Sequence, residues 1–185
     1  KNNTANWGGA IWLVPDVVLH IEDSEIIGNF AEYAGGGIHR SGDYNVHPGN
    51  MIISRSFIAD NWTNGCGGAI SKHEDEWYPD PIIGELQINN STIANNLSES
   101  GCGNSMYFNA GVDLNISNSI LDNGVDEIFF EDDEYPNTLF IEYSNIIAGG
   151  IPSEVNEPDV IILGDGNIDT DPNFTDPDNS DYTLA

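Results

Sequence analysis

Two short patterns recur along this chain, and they constrain its fold more than any other feature. The first is a glycine pair followed by a small and an aliphatic residue, and its copies, the last one degenerate, are Gly8-Gly9-Ala10-Ile11, Gly35-Gly36-Gly37-Ile38, Gly67-Gly68-Ala69-Ile70 and Gly103-Asn104-Ser105-Met106. The second has the form Ser-x-Ile-x-x-Asn after an isoleucine, and its clearest copies are Ile21 to Asn29, Ile53 to Asn61 and Ile88 to Asn96, with weaker copies at Ile116 to Leu121 and Ile141 to Ile147. Repeats of this length predict stacked structural units that share one core.

The repeats have the composition of strands and turns. Successive copies of the glycine pair lie 27, 32 and 36 residues apart, a drift that helical repeats do not tolerate. Each repeat contains short alternating runs of Ile, Val, Leu and Phe bounded by Gly, Asn, Asp and Pro, which is typical of β-strands and turns. The sequence therefore predicts an all-β parallel β-solenoid with about five irregular coils.

Stacked coils bring equivalent residues into columns. Ile11, Ile38, Ile70 and Met106 are expected to form an aliphatic column that faces the core. Asn29, Asn61 and Asn96 are expected to form a hydrogen-bonded asparagine ladder at a turn.

The two alternating patterns resemble the repeats of chlamydial polymorphic outer-membrane proteins and of secreted bacterial pectin-lyase-like proteins. The segments Tyr143 to Gly150, Gly166 to Phe174 and Asp176 to Leu184 are similar to a closing pattern of such proteins. The resemblance implies a right-handed parallel β-helix, with coils over residues 1–150 and an acidic closing segment of the same domain over 151–185. It also implies that the chain is a part of a longer protein, from a group that mixes lyases, hydrolases, adhesins and structural modules.

Charge excludes several classes of partner. The chain carries 31 Asp and Glu against 4 Lys and Arg, a formal net charge of −27 at pH 7. Nucleic acid and anionic lipid are excluded, because binding them needs Lys and Arg to replace counterions. No apolar run is long enough for membrane insertion. The acidity, the many glycines and asparagines and the few lysines predict an extracellular or cell-surface location.

Acidic residues near the C-terminus have the spacing of a calcium loop. Oxygen ligands at alternate positions, closed by a carboxylate eleven residues after the first, favour Ca²⁺. The candidate ligands are Asp165, Asn167, Asp169, Asp171 and Asp176. Thr170 replaces the usual glycine, and the alternative is that these carboxylates only bond to the backbone of their own turns.

Cys66 and Cys102 occupy the same position of adjacent repeats, each just before a corner glycine. Their Cα atoms would lie about 5 Å apart, which a disulfide accepts. A disulfide and a stacked pair of buried thiols both remain open.

Catalytic candidates follow from the resemblance. Lyases of that superfamily use Lys or Arg as a base, and Arg40 and Lys72 share a column beside His39 and His73. We expect these four to be exposed on the outer side of a sheet, where the two cations relieve local acidity. Because so acidic a surface repels polyuronate, the sequence does not favour catalysis by them.

Aromatic side chains favour a binding role instead. Trp77, Tyr78 and Tyr107 are the candidate ligand-binding residues, because flat rings beside polar groups are typical of sugar recognition. The sequence thus predicts a non-enzymatic module for adhesion or carbohydrate binding, stabilised by Ca²⁺ and with a carbohydrate or cell-surface partner. The alternatives are a subunit that associates with itself along the solenoid axis into a filament, and a fragment of a polysaccharide lyase or glycoside hydrolase.

Overall fold

The computed structural model describes residues 1–14, 16–42, 49–73, 84–109, 111–131, 136–147, 149–151 and 158–185. Within them the protein is all-β, and twenty of its twenty-two strands belong to four parallel sheets. The other two strands form an antiparallel hairpin around a short 3-10 helix, Pro177–Asn179. None of the helical structure in these ranges is long and apolar enough to cross a membrane.

Each parallel sheet takes one strand from each of several successive repeats, and the strands are numbered in chain order. The first sheet contains β1 (Thr4–Trp7), β5 (Phe30–Ala34), β9 (Trp62–Thr63) and β13 (Leu97–Ser98). The second contains β2 (Ile11–Leu13), β6 (Ile38–Ser41), β10 (Ile70–His73), β14 (Met106–Phe108) and β17 (Ile128–Phe130). The third contains β3 (Leu19–Glu22), β7 (Met51–Ser54), β11 (Gly84–Asn89), β15 (Val112–Ser117), β18 (Thr138–Glu142) and β20 (Val160–Leu163). The fourth contains β4 (Glu25–Ile27), β8 (Phe57–Ala59), β12 (Thr92–Ala94), β16 (Ile120–Asp122) and β19 (Asn145–Ile146), and the hairpin consists of β21 (Phe174–Asp176) and β22 (Asp181–Leu184).

From β1 to β16 the chain visits the sheets in a fixed order. It passes from the first sheet through the second and third to the fourth, and then returns to the first beside the strand it formed one repeat earlier. The later described strands, β17 to β20, belong only to the second, third and fourth sheets. Neighbouring strands of a sheet therefore come from consecutive repeats and run parallel. The prediction of an all-β protein with parallel strands is confirmed.

The aliphatic column lies in the second sheet as predicted. Ile38 pairs in register with Ile11 on one side and Ile70 on the other, and Ile70 pairs with Met106. Ile38, Ile70 and Met106 are at most 1% exposed. Burying an aliphatic side chain completely contributes about 1.5–3 kcal/mol, so such columns provide much of the stability of the core.

A glycine turns the chain between the first and second sheets. Gly35 has a φ of +65°, and a Cβ there would lie 2.3 Å from the carbonyl oxygen of Ile38. Any side chain would therefore clash with the backbone of its own turn, which explains the recurrence of glycine at this position.

The asparagine ladder is present and longer than predicted. At each step a side-chain amide donates to the side-chain oxygen of the next asparagine, through the series Asn3, Asn29, Asn61, Asn96 and Asn123. The amide of Asn123 then donates to Glu127, which ends the ladder. The prediction for Asn29, Asn61 and Asn96 is confirmed.

A second ladder consists of serines that the repeat pattern contains but that were not predicted to interact. Each hydroxyl from the second serine onward accepts a hydrogen bond from the backbone N–H of the preceding serine, in the series Ser24, Ser56, Ser91, Ser119 and Ser144. Each also donates to the carbonyl oxygen two residues before it. Each hydroxyl thus pairs with backbone groups of a turn, where the hydrogen bonds of the sheets do not satisfy them.

A disulfide joins adjacent repeats at the glycine corner. Cys66 and Cys102 are bonded in the structure, with their Cα atoms 4.9 Å apart. Both residues are only half-buried, so a small reductant in solution can reach the bond.

We expect loss of this disulfide to lower the free energy of unfolding by about 2–3 kcal/mol, because the bond removes conformational entropy from the unfolded chain. Urea unfolding of the oxidised protein and of the variant Cys66→Ala/Cys102→Ala measures the difference. A reductant should lower the midpoint of the oxidised protein and leave that of the variant unchanged. Equal midpoints for the two proteins, or two free thiols in the native protein, would contradict this expectation.

Candidate functional site

The outer face of the second sheet carries a row of mainly aromatic side chains. Because side chains alternate along a strand, the residues that follow the buried column face outward. Backbone pairing aligns them in one row, which runs Trp12, His39, Ser71, Tyr107 and Phe129.

Trp7 contributes a further ring from the first sheet. Its centroid lies 4.7 Å from that of His39, 5.2 Å from that of Tyr33 and 6.4 Å from that of His73. Trp12 is the neighbour of His39 in the row. We call this group the aromatic surface; it consists of Trp7, Trp12, Tyr33, His39 and His73.

The three large rings of the aromatic surface are open to solvent. Trp12 is 61% exposed, Tyr33 49% and Trp7 37%. These rings therefore offer apolar planes to a ligand, and the half-buried His73 beside them adds a polar group.

His39 is the buried polar residue against which the Trp7 ring packs. It is buried, and its Nδ1 lies 2.7 Å from the Ser71 hydroxyl oxygen. Burial lowers the pKa of His39 to about 4, with a smaller contribution from nearby His73, so the ring is neutral at pH 7. Ser71 is completely buried. The pair is therefore a structural hydrogen bond, since a substrate cannot reach this hydroxyl as a nucleophile requires.

The expectation that His39, Arg40 and Lys72 are exposed is wrong, since His39 is only 3% exposed. Arg40 and Lys72 are each 4% exposed and occupy the inward position of their strands, in register with Leu13 and Phe108 of the core. Arg40 Nη2 donates to the carbonyl oxygen of Val17 at 2.8 Å, and Lys72 Nζ donates to that of Gly111 at 2.5 Å. Pairing these cations with backbone oxygens offsets the cost of burying them.

The space beside these two cations is small. A cavity of about 20 Å³ lies between Arg40, Lys72, Glu85 and Phe108. It has room for about one water molecule and none for a sugar ring.

Tyr107 is not available as a binding ring. It is 7% exposed, its hydroxyl donates to Glu131 Oε2 at 2.5 Å, and its ring stacks on that of Phe129. The prediction that it binds a ligand does not fit this burial. Trp77 and Tyr78 lie outside the described residues.

The acidic C-terminal segment packs on the outer face of the fourth sheet. Tyr182 of the hairpin is 4% exposed, and its hydroxyl donates to Asp60 Oδ1. Its ring covers a small apolar cluster of Ile27, Ala59 and Ala94. The segment thus contacts the repeats at a place that the repeat pattern does not indicate.

The predicted calcium ligands have different surroundings. Asn167 accepts from the N–H of Ser144 and donates to the carbonyl of Ile141, which ends the serine ladder. Asp171 accepts from the N–H of Asn173 within its own turn, and Asp176 accepts from the amide of Asn179. Asp165 and Asp169 are exposed.

Asn167, Asp171 and Asp176 thus each bond to a different part of the chain. No group of three or more His, Cys, Asp or Glu that could hold a metal occurs in the described part of the chain. Calcium binding stays a prediction of the sequence.

Trp7 and Tyr33 were not predicted to belong to the site, and a strand irregularity explains why. The pairing of β1 with β5 shifts by one residue between Ala5 and Trp7. Trp7 therefore pairs with Ala34, and β5 contains one additional residue beside Tyr33 that has no partner in β1. Such a bulge reorients side chains locally and breaks the alternation from which the outer face was predicted.

No protein-family model matches the chain, and no curated protein and no solved structure is significantly similar to it.

Proposed function

We propose that the four parallel sheets are the faces of a right-handed parallel β-helix with about five irregular coils. The order in which the chain visits the sheets from β1 to β16 supports this fold. Crossover connections between parallel strands are right-handed in nearly all proteins, which supports the hand.

The proposed function is carbohydrate binding by an extracellular or cell-surface module that is not an enzyme. One observation carries it: three partly exposed rings cluster near a buried neutral histidine, since Trp7 packs against both His39 and Tyr33, and Trp12 is in register with His39. Sugars present apolar ring faces and hydroxyl groups, and a site of flat rings beside a few polar groups is complementary to both. A solid sheet beneath the rings limits the entropy that is lost on binding.

Two further features support an extracellular location. A disulfide links adjacent repeats, and such bonds persist mainly in oxidising compartments. A net charge of −27 also suits an environment in which abundant salt screens the repulsion.

We expect Trp12→Ala to weaken glycan binding about tenfold, because an aromatic contact is worth up to about 1.5 kcal/mol. The fold should persist, since the Trp12 side chain is mostly exposed. Retardation of the intact protein in gels that contain single polysaccharides measures the affinity.

Tyr143→Asn is the matched control. It removes an exposed ring far from the aromatic surface, at a left-handed position that asparagine tolerates, and it should bind as the parent does. If no polysaccharide retards the protein, or if Trp12→Ala is retarded as strongly as the parent, this surface is not a glycan site.

Filament formation is a second candidate. The outermost described strand of the third sheet, β20, leaves Val160, Ile162 and Leu163 about half exposed. An open parallel edge with apolar side chains can pair with a strand of another copy. Growth of particle size with protein concentration in light scattering would favour this candidate, and a constant monomer size would rule it out.

A further inference from the structure

We infer that the ligand of the aromatic surface is an uncharged glycan, and that polyuronates and sulfated glycans are rejected. This inference rests on the proposed function and narrows it to a ligand class. It follows from where the few cations of the chain lie relative to the exposed rings.

Within the described residues, the surface has no Lys or Arg to pair with an anionic sugar. Arg40 and Lys72 are on the strands beneath the rings, but both point into the core and donate to backbone carbonyl oxygens. A carboxylate or sulfate held against Trp12 therefore cannot reach either guanidinium or ammonium group.

The other two cations are engaged elsewhere. Lys1 pairs with Glu25 at 2.5 Å, and Arg55 pairs with Glu22 and Asp23. Glu22, Asp23 and Glu25 lie on or between β3 and β4 of the third and fourth sheets, away from the aromatic surface. All four Lys and Arg residues of the chain are thus assigned, and none presents its charged group on this face for direct pairing with an anionic sugar.

Desolvation and repulsion oppose an anion at this surface. A carboxylate that loses water against an aromatic ring needs an opposite charge or several donors in return. The net charge of −27 repels it further at low ionic strength.

An uncharged sugar has no such cost. Its ring can lie on Trp12 or Tyr33 while its hydroxyls exchange hydrogen bonds with the half-buried His73. His39 is neutral because it is buried, so it adds no charge to the site.

The test uses the intact protein in affinity gels with neutral probes (β-glucan, galactomannan, xylan) and anionic probes (polygalacturonate, alginate, chondroitin sulfate). Each gel is run at low and at high salt, with Ca²⁺ or with EDTA. We expect retardation by at least one neutral probe, unchanged by salt or EDTA and weakened about tenfold by Trp12→Ala. We expect no retardation by the anionic probes that depends on Trp12.

A further variant tests the effect of surface charge on binding without removing an aromatic ring. Glu32 is exposed next to Tyr33, and Glu32→Gln removes one negative charge without removing a ring. Binding of the neutral probe should change by less than about twofold, as for surface substitutions in general.

The outcomes separate the two claims. Retardation by an anionic probe that Trp12→Ala weakens, with none by the neutral probes, overturns the inference and leaves the proposed glycan site standing. The same holds if this anionic retardation requires Ca²⁺. No retardation by any probe overturns the proposed function and the inference with it.

Discussion

Asn61→Ala should lower the free energy of unfolding by about 4 kcal/mol, one of the two largest effects that we expect in this protein. Asn61 is completely buried. Its side-chain oxygen accepts from the backbone N–H and the amide of Asn29 at 3.0 and 2.8 Å. Its amide donates to the carbonyl of Ile26 and to Asn96 Oδ1, both at 2.9 Å. The substitution removes these four hydrogen bonds and leaves the N–H and amide of Asn29 without this acceptor, although Asn96 Oδ1 still accepts from the backbone N–H of residue 61. Each buried hydrogen bond that is lost costs about 1 kcal/mol.

Urea unfolding measures this loss, and two further asparagine variants show how the loss depends on burial within the ladder. Asn3→Ala removes the exposed first residue of the ladder and should cost about 1 kcal/mol, because Asn3 only donates to Asn29. Asn179→Ala removes an exposed amide outside the ladder and should stay within about 0.5 kcal/mol of the parent. A loss of under about 1 kcal/mol for Asn61→Ala would show that the ladder does not stabilise the fold as the geometry indicates.

The second large effect is a fall in stability as pH rises from about 4.5 to above 7, on the order of 3 kcal/mol, from one buried carboxyl. Glu127 is completely buried and ends the asparagine ladder. Its oxygens accept from the N–H of Asn123 at 2.5 Å, the amide of Asn123 at 2.7 Å and the hydroxyl of Ser105. These donors are neutral, and burial raises the pKa of Glu127 from 4.5 to about 7 despite them.

The direction of this change in stability follows from the protonation of Glu127 in the folded and unfolded states. In the unfolded chain the carboxyl loses its proton near pH 4.5, whereas in the folded protein it keeps the proton to about pH 7. Between these values the folded state binds more protons, so its stability decreases as pH rises. The negative charge of Asp122 acts on Glu127 in the same direction, and burial followed by the charge of Asp171 raises the pKa of Asp122 as well.

Comparison with Glu127→Gln isolates the contribution of this carboxyl. The free energy of unfolding is measured by urea at several pH values for the parent, for Glu127→Gln and for Glu99→Gln, an exposed control. Glu127→Gln should flatten the decrease between pH 4.5 and 7, and Glu99→Gln should keep it. Parallel curves for the parent and Glu127→Gln would mean that Glu127 does not titrate in this range.

The regular part of the structure was predictable because it repeats. The copies of the two sequence patterns align residue for residue with the strand pairing, as Ile21, Ile53 and Ile88 show in the third sheet. The asparagine ladder followed from the same alignment. The serines of the second ladder also recur in the second pattern. The pattern does not predict their role, however, because each hydroxyl accepts from one backbone N–H and donates to one backbone carbonyl oxygen.

The positions of Arg40 and Lys72 were predictable in part. They align with Leu13 and Phe108, and both of these belong to the core. The apolar partners in the column indicated an inward position, while the charges favoured an outward one. The structure resolves this conflict because the carbonyl oxygens of Val17 and Gly111 lie within reach of the charged groups.

The candidate site depended on tertiary structure. Trp7 and Tyr33 reach the second sheet because one extra residue in β5 breaks the alternation at the corner, and no repeat copy reveals such a shift. The C-terminal hairpin also packs on the fourth sheet through Tyr182 and Asp60, which are 122 residues apart in the chain. The sequence by itself determined the strands, their parallel pairing and the residues that share a column, since these depend on local alternation and on repetition. Only the tertiary structure decided which rings gather into the aromatic surface and which charges are buried, because both depend on contacts between residues that no periodic pattern relates.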